Sequence, residues 1–88
     1  MSAEVEIYTT MYCPYCWRAK ELLSAKSVTF TEIDVGGSAD KRREMTTRAE
    51  GGRTVPQIFI NGIPIGGCDE LYALEHKGQL DPMLGTAA

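Results

Sequence analysis

The run Glu4-Val5-Glu6-Ile7-Tyr8-Thr9, followed after a short gap by Cys13-Pro14-Tyr15-Cys16-Trp17-Arg18-Ala19-Lys20-Glu21-Leu22-Leu23, decides how the rest of the chain is read. The first piece is rich in β-formers and alternates around Val5 and Ile7, the period of a strand. In the second piece the period changes. Ala19, Leu22 and Leu23 share one helical face and Arg18, Lys20, Glu21 and Ser24 fall elsewhere, which predicts a helix from Pro14 to about Lys26. Trp17 lies opposite the apolar face and is expected to be exposed. Two cysteines two residues apart therefore sit where a strand hands over to a helix, the setting of a redox dithiol. The unsatisfied amides and the positive dipole end of a helix N-terminus favour an anion. Thiolate is the reactive form of cysteine, and such positions promote it. Cys13 is the candidate nucleophile. Cys16, one turn in, can close a disulfide with it or attack a mixed disulfide on it.

Closely spaced cysteines are also metal ligands, so half of a zinc site is the competing reading. Structural zinc takes four ligands. Beyond the pair the chain has only Cys68 and the single His76, at a spacing unlike a finger or ribbon. Pro14 also suits the first turn of a helix. The redox reading fits better, and no metal is expected.

Outward from this unit, Val28 to Val35 alternates with one change of phase: Val28 and Phe30 share a parity, Glu32 breaks it, and Ile33 and Val35 continue on the other. Gly36-Gly37 ends that strand, and Ser38 can cap a charged second helix over Ala39 to Arg48, closed by Gly51-Gly52. Gln57 to Ile60 reads as a strand, Asn61-Gly62 as a two-residue hairpin turn, and Ile63-Pro64-Ile65 as the returning strand. A third helix is expected from Cys68 to His76, with a further helical turn near Asp81 to Leu84 and a frayed end at Gly85-Thr86-Ala87-Ala88. The order β-α-β-α-β-β-α predicts an α/β fold. Its four-stranded mixed sheet has a parallel pair from the crossover and an antiparallel pair from the hairpin, with helices on both faces. One domain over residues 1–88 is expected.

A net charge of −3 without a basic block argues against nucleic acid as a partner. No run approaches the ~20 apolar residues of a membrane span. The acidic start, Met1-Ser2-Ala3-Glu4-Val5-Glu6, is unlike a secretory signal. Three cysteines are too few for a secreted disulfide scaffold, so the expected compartment is the reducing cytoplasm. Further along, Gly66-Gly67 lets backbone approach a ligand closely, and the amides of Cys68 and Asp69 open a helix, a ready anion site for a carboxylate.

Three separated segments, Cys13-Pro14-Tyr15-Cys16, Thr54-Val55-Pro56 and Gly66-Gly67-Cys68-Asp69, together resemble the glutaredoxins, of the small bacterial dithiol kind. The resemblance runs through nearly the whole chain and implies the thioredoxin fold. It implies a cis Val55-Pro56 bond, where the residues alone also allow an ordinary trans turn. It implies a glutathione groove with Thr54, Val55 and Pro56 among its binding residues, in which the Val55 N–H and C=O pair with an extended peptide. In that groove Tyr15 borders the ligand, the segment Gly66-Gly67-Cys68-Asp69 holds the γ-glutamyl end with the Cys68 and Asp69 amides as its carboxylate site, and the Asp69 side chain takes the ammonium. Arg48 would reach the glycyl carboxylate, a task that suits a guanidinium, although an arginine near a helix end is also an ordinary solvated charge. Cys68 is equally readable as a small core residue. One departure stands out: Thr10 occupies a position where many glutaredoxins carry lysine.

The implied activity is a glutathione-dependent thiol–disulfide oxidoreductase acting on protein disulfides and on glutathionylated proteins. Glutathione would be the reducing co-substrate, and a monomer is expected. The alternative is a carrier in which two subunits hold a [2Fe–2S] cluster through Cys13 and two glutathiones. Pro14 and Cys16 disfavour it, because such carriers usually have Gly or Ser at one of those positions.

Overall fold

A computed structural model describes residues 3–85, so all of the frayed end expected at Gly85-Thr86-Ala87-Ala88 except Gly85 lies outside the described residues. The elements run β1 (Val5–Thr9), α1 (Pro14–Ala25), β2 (Phe30–Asp34), α2 (Ala39–Arg48), β3 (Gln57–Ile60), β4 (Ile63–Gly66), α3 (Cys68–His76) and α4 (Leu80–Leu84). The sheet order is β2-β1-β3-β4. β1 pairs with β2 in parallel and with β3 antiparallel, and β3 pairs antiparallel with β4. This is the mixed sheet that the order of elements predicts.

Both central strands are covered on both faces, and the side-chain alternation divides the core in two. Val5 and Ile7 of β1 and Ile58 and Ile60 of β3 pack with Ala19 and Leu23 of α1, Leu71 of α3, and Leu80 and Leu84 of α4. Tyr8 and Phe59, on the opposite parity, pack with Met45 of α2 and with Val35. The phase change read in the second strand has its cause here. Val28 and Phe30 belong to the α1 side, whereas Ile33 and Val35 belong to the α2 side. Glu32 shares the parity of Phe30 and spends its carboxylate on Lys20 of α1, 2.9 Å away. The regular strand is shorter than the apolar run that predicts it, because β2 is an edge strand with one ladder only.

Asn61 and Gly62 both take positive φ, 53° and 78°, the geometry of the hairpin turn their sequence predicts. Asn61 also ties the turn to the start of β1. Its side-chain oxygen accepts from Glu4 N–H at 2.9 Å, and its own N–H donates to the Glu4 carbonyl at 2.7 Å. Pro64 falls on the outer strand β4, where its missing N–H costs no ladder bond.

α2 is fastened to its face of the sheet by polar contacts as well as by Met45. Arg48 makes a paired contact to Glu6, Nη2 to Oε1 at 2.8 Å and Nη1 to Oε2 at 3.1 Å. It also donates to the Tyr8 hydroxyl at 2.8 Å, and that hydroxyl donates to Glu44 at 2.6 Å. The guanidinium lies 4.2 Å from the centroid of the Phe59 ring, close enough for a cation–π contact. Among the described residues no helix is long and apolar enough to cross a membrane.

Candidate active site

Cys13 is the N-cap of α1, in extended conformation, with Pro14 in the first helical turn. Its Sγ accepts a hydrogen bond from the Cys16 amide at 3.2 Å, so a donor left free by the helix start is aimed at the sulfur. The Cys13 thiol in turn points at the Val55 carbonyl, 3.8 Å away. Cys13 is 8% exposed and Cys16 fully buried, so only the first sulfur can be approached from solvent. Burial pushes the Cys16 thiol up to about 12, and its hydrogen bond with Cys13 adds to the rise; the Thr10 amide and the charge of Lys20 pull the other way. One sulfur reaches the surface and receives a helix-start amide, and its partner is a buried thiol.

Val55-Pro56 is cis. The segment lies across from α1 and forms one wall of a groove of about 300 Å³, whose opposite wall is the turn from β4 into α3. Tyr15, Thr54, Val55, Pro56, Gly67, Cys68 and Asp69 all line it. These are the groove residues expected from the sequence, with one exception. Glu70 is an addition to them. Its carboxylate accepts from Gly67 N–H at 2.6 Å and fixes the first turn of α3, a role readable from its place three residues after the N-cap.

Geometry requires glycine at position 66 and favours it at 67. Gly66 has φ of +110°, and a Cβ there would stand 2.8 Å from the Glu70 side chain. A Cβ on Gly67 would come within 3.2 Å of the Pro56 carbonyl, so the two walls approach as closely as backbone allows. The N-terminus of α3 opens into the groove with Asp69 exposed beside it. Cys68 is 6% exposed, and burial raises its pKa, which keeps it a packed thiol.

The exception is Arg48. It does not join the groove-lining residues but is held on the α2 face by Glu6, Tyr8 and Phe59. Arg42 of the same helix donates to the carbonyl of Arg53, the residue before Thr54, at 3.4 Å, and the two line a separate cleft. Sequence spacing did not single it out, because a run of charges on a helix looks the same whichever of them faces a site. Thr10 is not among the groove-lining residues either but lines a separate cleft with Lys20 and Glu32. The rim of the site is aromatic and apolar: Tyr12, Tyr15, Trp17 and Met11 are all more than half exposed.

The glutaredoxin family profile matches residues 5–65. Glutaredoxin 3 of Escherichia coli strain K12 is 60% identical over 82 residues, covering 93% of this chain and 98% of that protein. A probable glutaredoxin from Synechocystis is 56% identical over 98% of this chain and 79% of its own length. Among solved structures, a buckwheat glutaredoxin–glutathione complex superimposes with a TM-score of 0.84 at 32% identity, covering 98% of this chain and 83% of its own. The glutaredoxin of Brucella melitensis gives 0.82 at 48% identity, covering 99% and 96%. The chain belongs to the glutaredoxin family and has the thioredoxin fold. It is of the kind that carries out glutathione-related thiol–disulfide exchange.

The displaced arginine leads to a specific expectation. Its partner Glu6 is held below the ordinary carboxylate value of 4.5, chiefly by the hydrogen bond from Arg48. A carboxyl depressed on folding contributes stability above its unfolded pKa and loses it as pH falls through its folded value. Arg48→Met is therefore expected to lower stability at neutral pH by about 1–2 kcal/mol, or roughly 5–10 °C in the melting midpoint. It should also shrink the further loss seen below about pH 4.5. Glutathione saturation should be unchanged. A raised KM for glutathione with an unchanged midpoint would return Arg48 to the ligand role.

Proposed function

We propose that the protein reduces protein disulfides and glutathionylated proteins with glutathione as the reductant, through Cys13 and Cys16. The observation that carries this reading is the placement of the Cys13 sulfur. It receives the Cys16 amide at 3.2 Å and faces the Val55 carbonyl at the wall of a peptide-wide groove. Cys13 thiolate attacks the glutathionyl sulfur of a modified protein. The S–S bond breaks, the protein thiolate leaves, and the glutathionyl group remains on Cys13. A second glutathione thiolate then attacks that mixed disulfide, releasing glutathione disulfide and restoring Cys13. With a protein disulfide, Cys13 instead forms a mixed disulfide with the substrate, and Cys16 attacks Cys13 to release the second substrate thiolate.

In this reading the backbone of Val55 pairs with the glutathione backbone, as a one-residue strand. The Cys68 and Asp69 amides take the γ-glutamyl carboxylate at the N-terminus of α3, and Asp69 takes the ammonium. The glycyl carboxylate extends toward the Thr54 end of the groove, where Arg42 and Arg53 supply positive charge in place of Arg48 and of the lysine that Thr10 replaces. The exposed rim of Tyr12, Tyr15 and Trp17 meets the protein part of the substrate. The test is a glutathione-coupled reduction of a small mixed disulfide, followed as NADPH consumption by glutathione reductase. Turnover that saturates in glutathione supports the reading. Turnover driven only by thioredoxin reductase would overturn it.

A further inference from the structure

A second cleft of about 380 Å³, sharing no lining residue with the glutathione groove, is lined by Thr9, Thr10, Met11, Lys20, Glu32 and Asp34. It is polar and charged, and the glutathione reading assigns it no task. Lys20 stands four residues after Cys16 in α1, so both lie on one helix face. Its ammonium contacts Glu32 Oε2 at 2.9 Å, and the Thr9 hydroxyl donates to the same oxygen at 2.8 Å, so the carboxylate is fixed from two sides. Lys20 holds its position at 26% side-chain exposure, tethered rather than free in solvent.

Cys16 has no route to solvent through the groove, yet to resolve a mixed disulfide it must become a thiolate. The groups that face it are few. From α1 they are Cys13 and Lys20, and from the end of β1 the Thr10 amide, which donates to it. From β2 the carboxylates of Glu32 and Asp34 stand across the cleft. On the α3 side, α1 packs against the uncharged Cys68 and Leu71. The one positive side chain in this set is Lys20, and its nearest counter-charge is Glu32.

We propose that Lys20 is a positioning residue for the resolving step: its ammonium stabilises the Cys16 thiolate as it forms, and Glu32 sets how much of that charge Cys16 feels. The proposal rests on the dithiol reading above. In the step itself the Cys16 proton passes to solvent. The thiolate attacks Cys13 Sγ, the Cys13–substrate S–S bond breaks, and the substrate leaves as thiolate with the bonding pair. The Cys13–Cys16 disulfide remains. Lys20 changes only the charge balance of the attacking sulfur, without bonding to it. The burial that raises the Cys16 thiol, and the opposing pull of Lys20, agree with this arrangement.

The two charges give the test opposite signs. The reduced protein is mixed with dithiobis(nitrobenzoate), and release of the coloured nitrothiobenzoate anion is followed in stopped flow across pH. The first equivalent reports attack by Cys13 and the second reports resolution by Cys16. Lys20→Gln is expected to slow the second phase by about two- to fivefold, because the loss of thiolate is partly offset by greater intrinsic nucleophilicity. The pH profile of that phase should be displaced to higher pH, while the first phase stays unchanged. Glu32→Gln is expected to speed the second phase by a similar factor, and Lys20→Arg to restore it. If the ion pair served only to hold α1 on β2, both Lys20→Gln and Glu32→Gln would slow the phase or leave it unchanged, and the proposal would be wrong. Cys16→Ser is the control for the underlying reading. A second equivalent released by that variant with Cys68→Ser also in place would remove the dithiol route itself, whatever the Lys20 variants do.

Discussion

Cys13→Ser is expected to abolish both reduction of protein disulfides and deglutathionylation, to below detection in a coupled assay. The argument is positional. The amide left free at the start of α1 points at one sulfur, that of Cys13, and the same sulfur faces the Val55 carbonyl at the groove wall. A serine hydroxyl there would accept the same hydrogen bond but would not ionise near neutral pH, so the geometry would survive without the nucleophile. Cys16 and Cys68 cannot substitute, since burial holds both as thiols. Cys16→Ser is expected to divide the two activities. Removing glutathione from a modified protein needs only Cys13 and free glutathione, and should persist. Reduction of a protein disulfide needs an internal thiol to release the second half of the substrate, and most of it should be lost. A folded Cys16→Ser protein lacking both activities would sink the one-thiol route.

How much of this could be read in the chain depends on whether a feature is local or brought together by folding. The hairpin was legible because Asn61 and Gly62 carry their own backbone preference, and both adopt it. The start of α1 was legible for the same reason: Cys13, Pro14 and the amide of Cys16 lie within one turn. The groove was legible through its two glycines, one at positive φ with no room for a Cβ beside Glu70 and one with only a tight fit beside the Pro56 carbonyl. The phase change between Phe30 and Ile33 was visible in sequence, but its cause was not. It reflects an edge strand facing α1 with one parity and α2 with the other, a property of the whole sheet. Arg48 could not be assigned from spacing because its partner Glu6 is 42 residues away, and nothing local distinguishes a guanidinium bound to Glu6 from one facing a ligand. The cleft of Lys20 and Glu32 was hidden for the same reason. Each residue alone is an ordinary surface charge, and only the parallel pairing of β2 beside β1 sets them in one cleft.

Asp69→Ala is expected to weaken glutathione binding by about 1.5–3 kcal/mol, roughly ten- to more than a hundredfold, with a far smaller effect on folding. Two roles compete at this residue. As an exposed acid in the first turn of α3 it favours the helix dipole, which is worth at most about 1 kcal/mol at such a site. As the partner of the glutathione ammonium it makes a charge-assisted hydrogen bond, larger and present only in the complex. The structure separates the two roles. The first turn of α3 is already fastened by Glu70, whose carboxylate accepts from Gly67 N–H at 2.6 Å, so Asp69 is not needed to cap it. Its side chain is exposed at the groove that Cys68 and Gly67 also line. Thermal melting and glutathione saturation, measured on the same variant, decide between them. A shift of a few degrees in the midpoint with a large rise in KM for glutathione is the expected result. Losses of equal free energy in both would leave Asp69 a helix-end acid only. Asp69→Asn sharpens the comparison, because it keeps the size and a hydrogen-bond acceptor while removing the charge. Binding as weak as that of Asp69→Ala would show that the ammonium is recognised chiefly by charge.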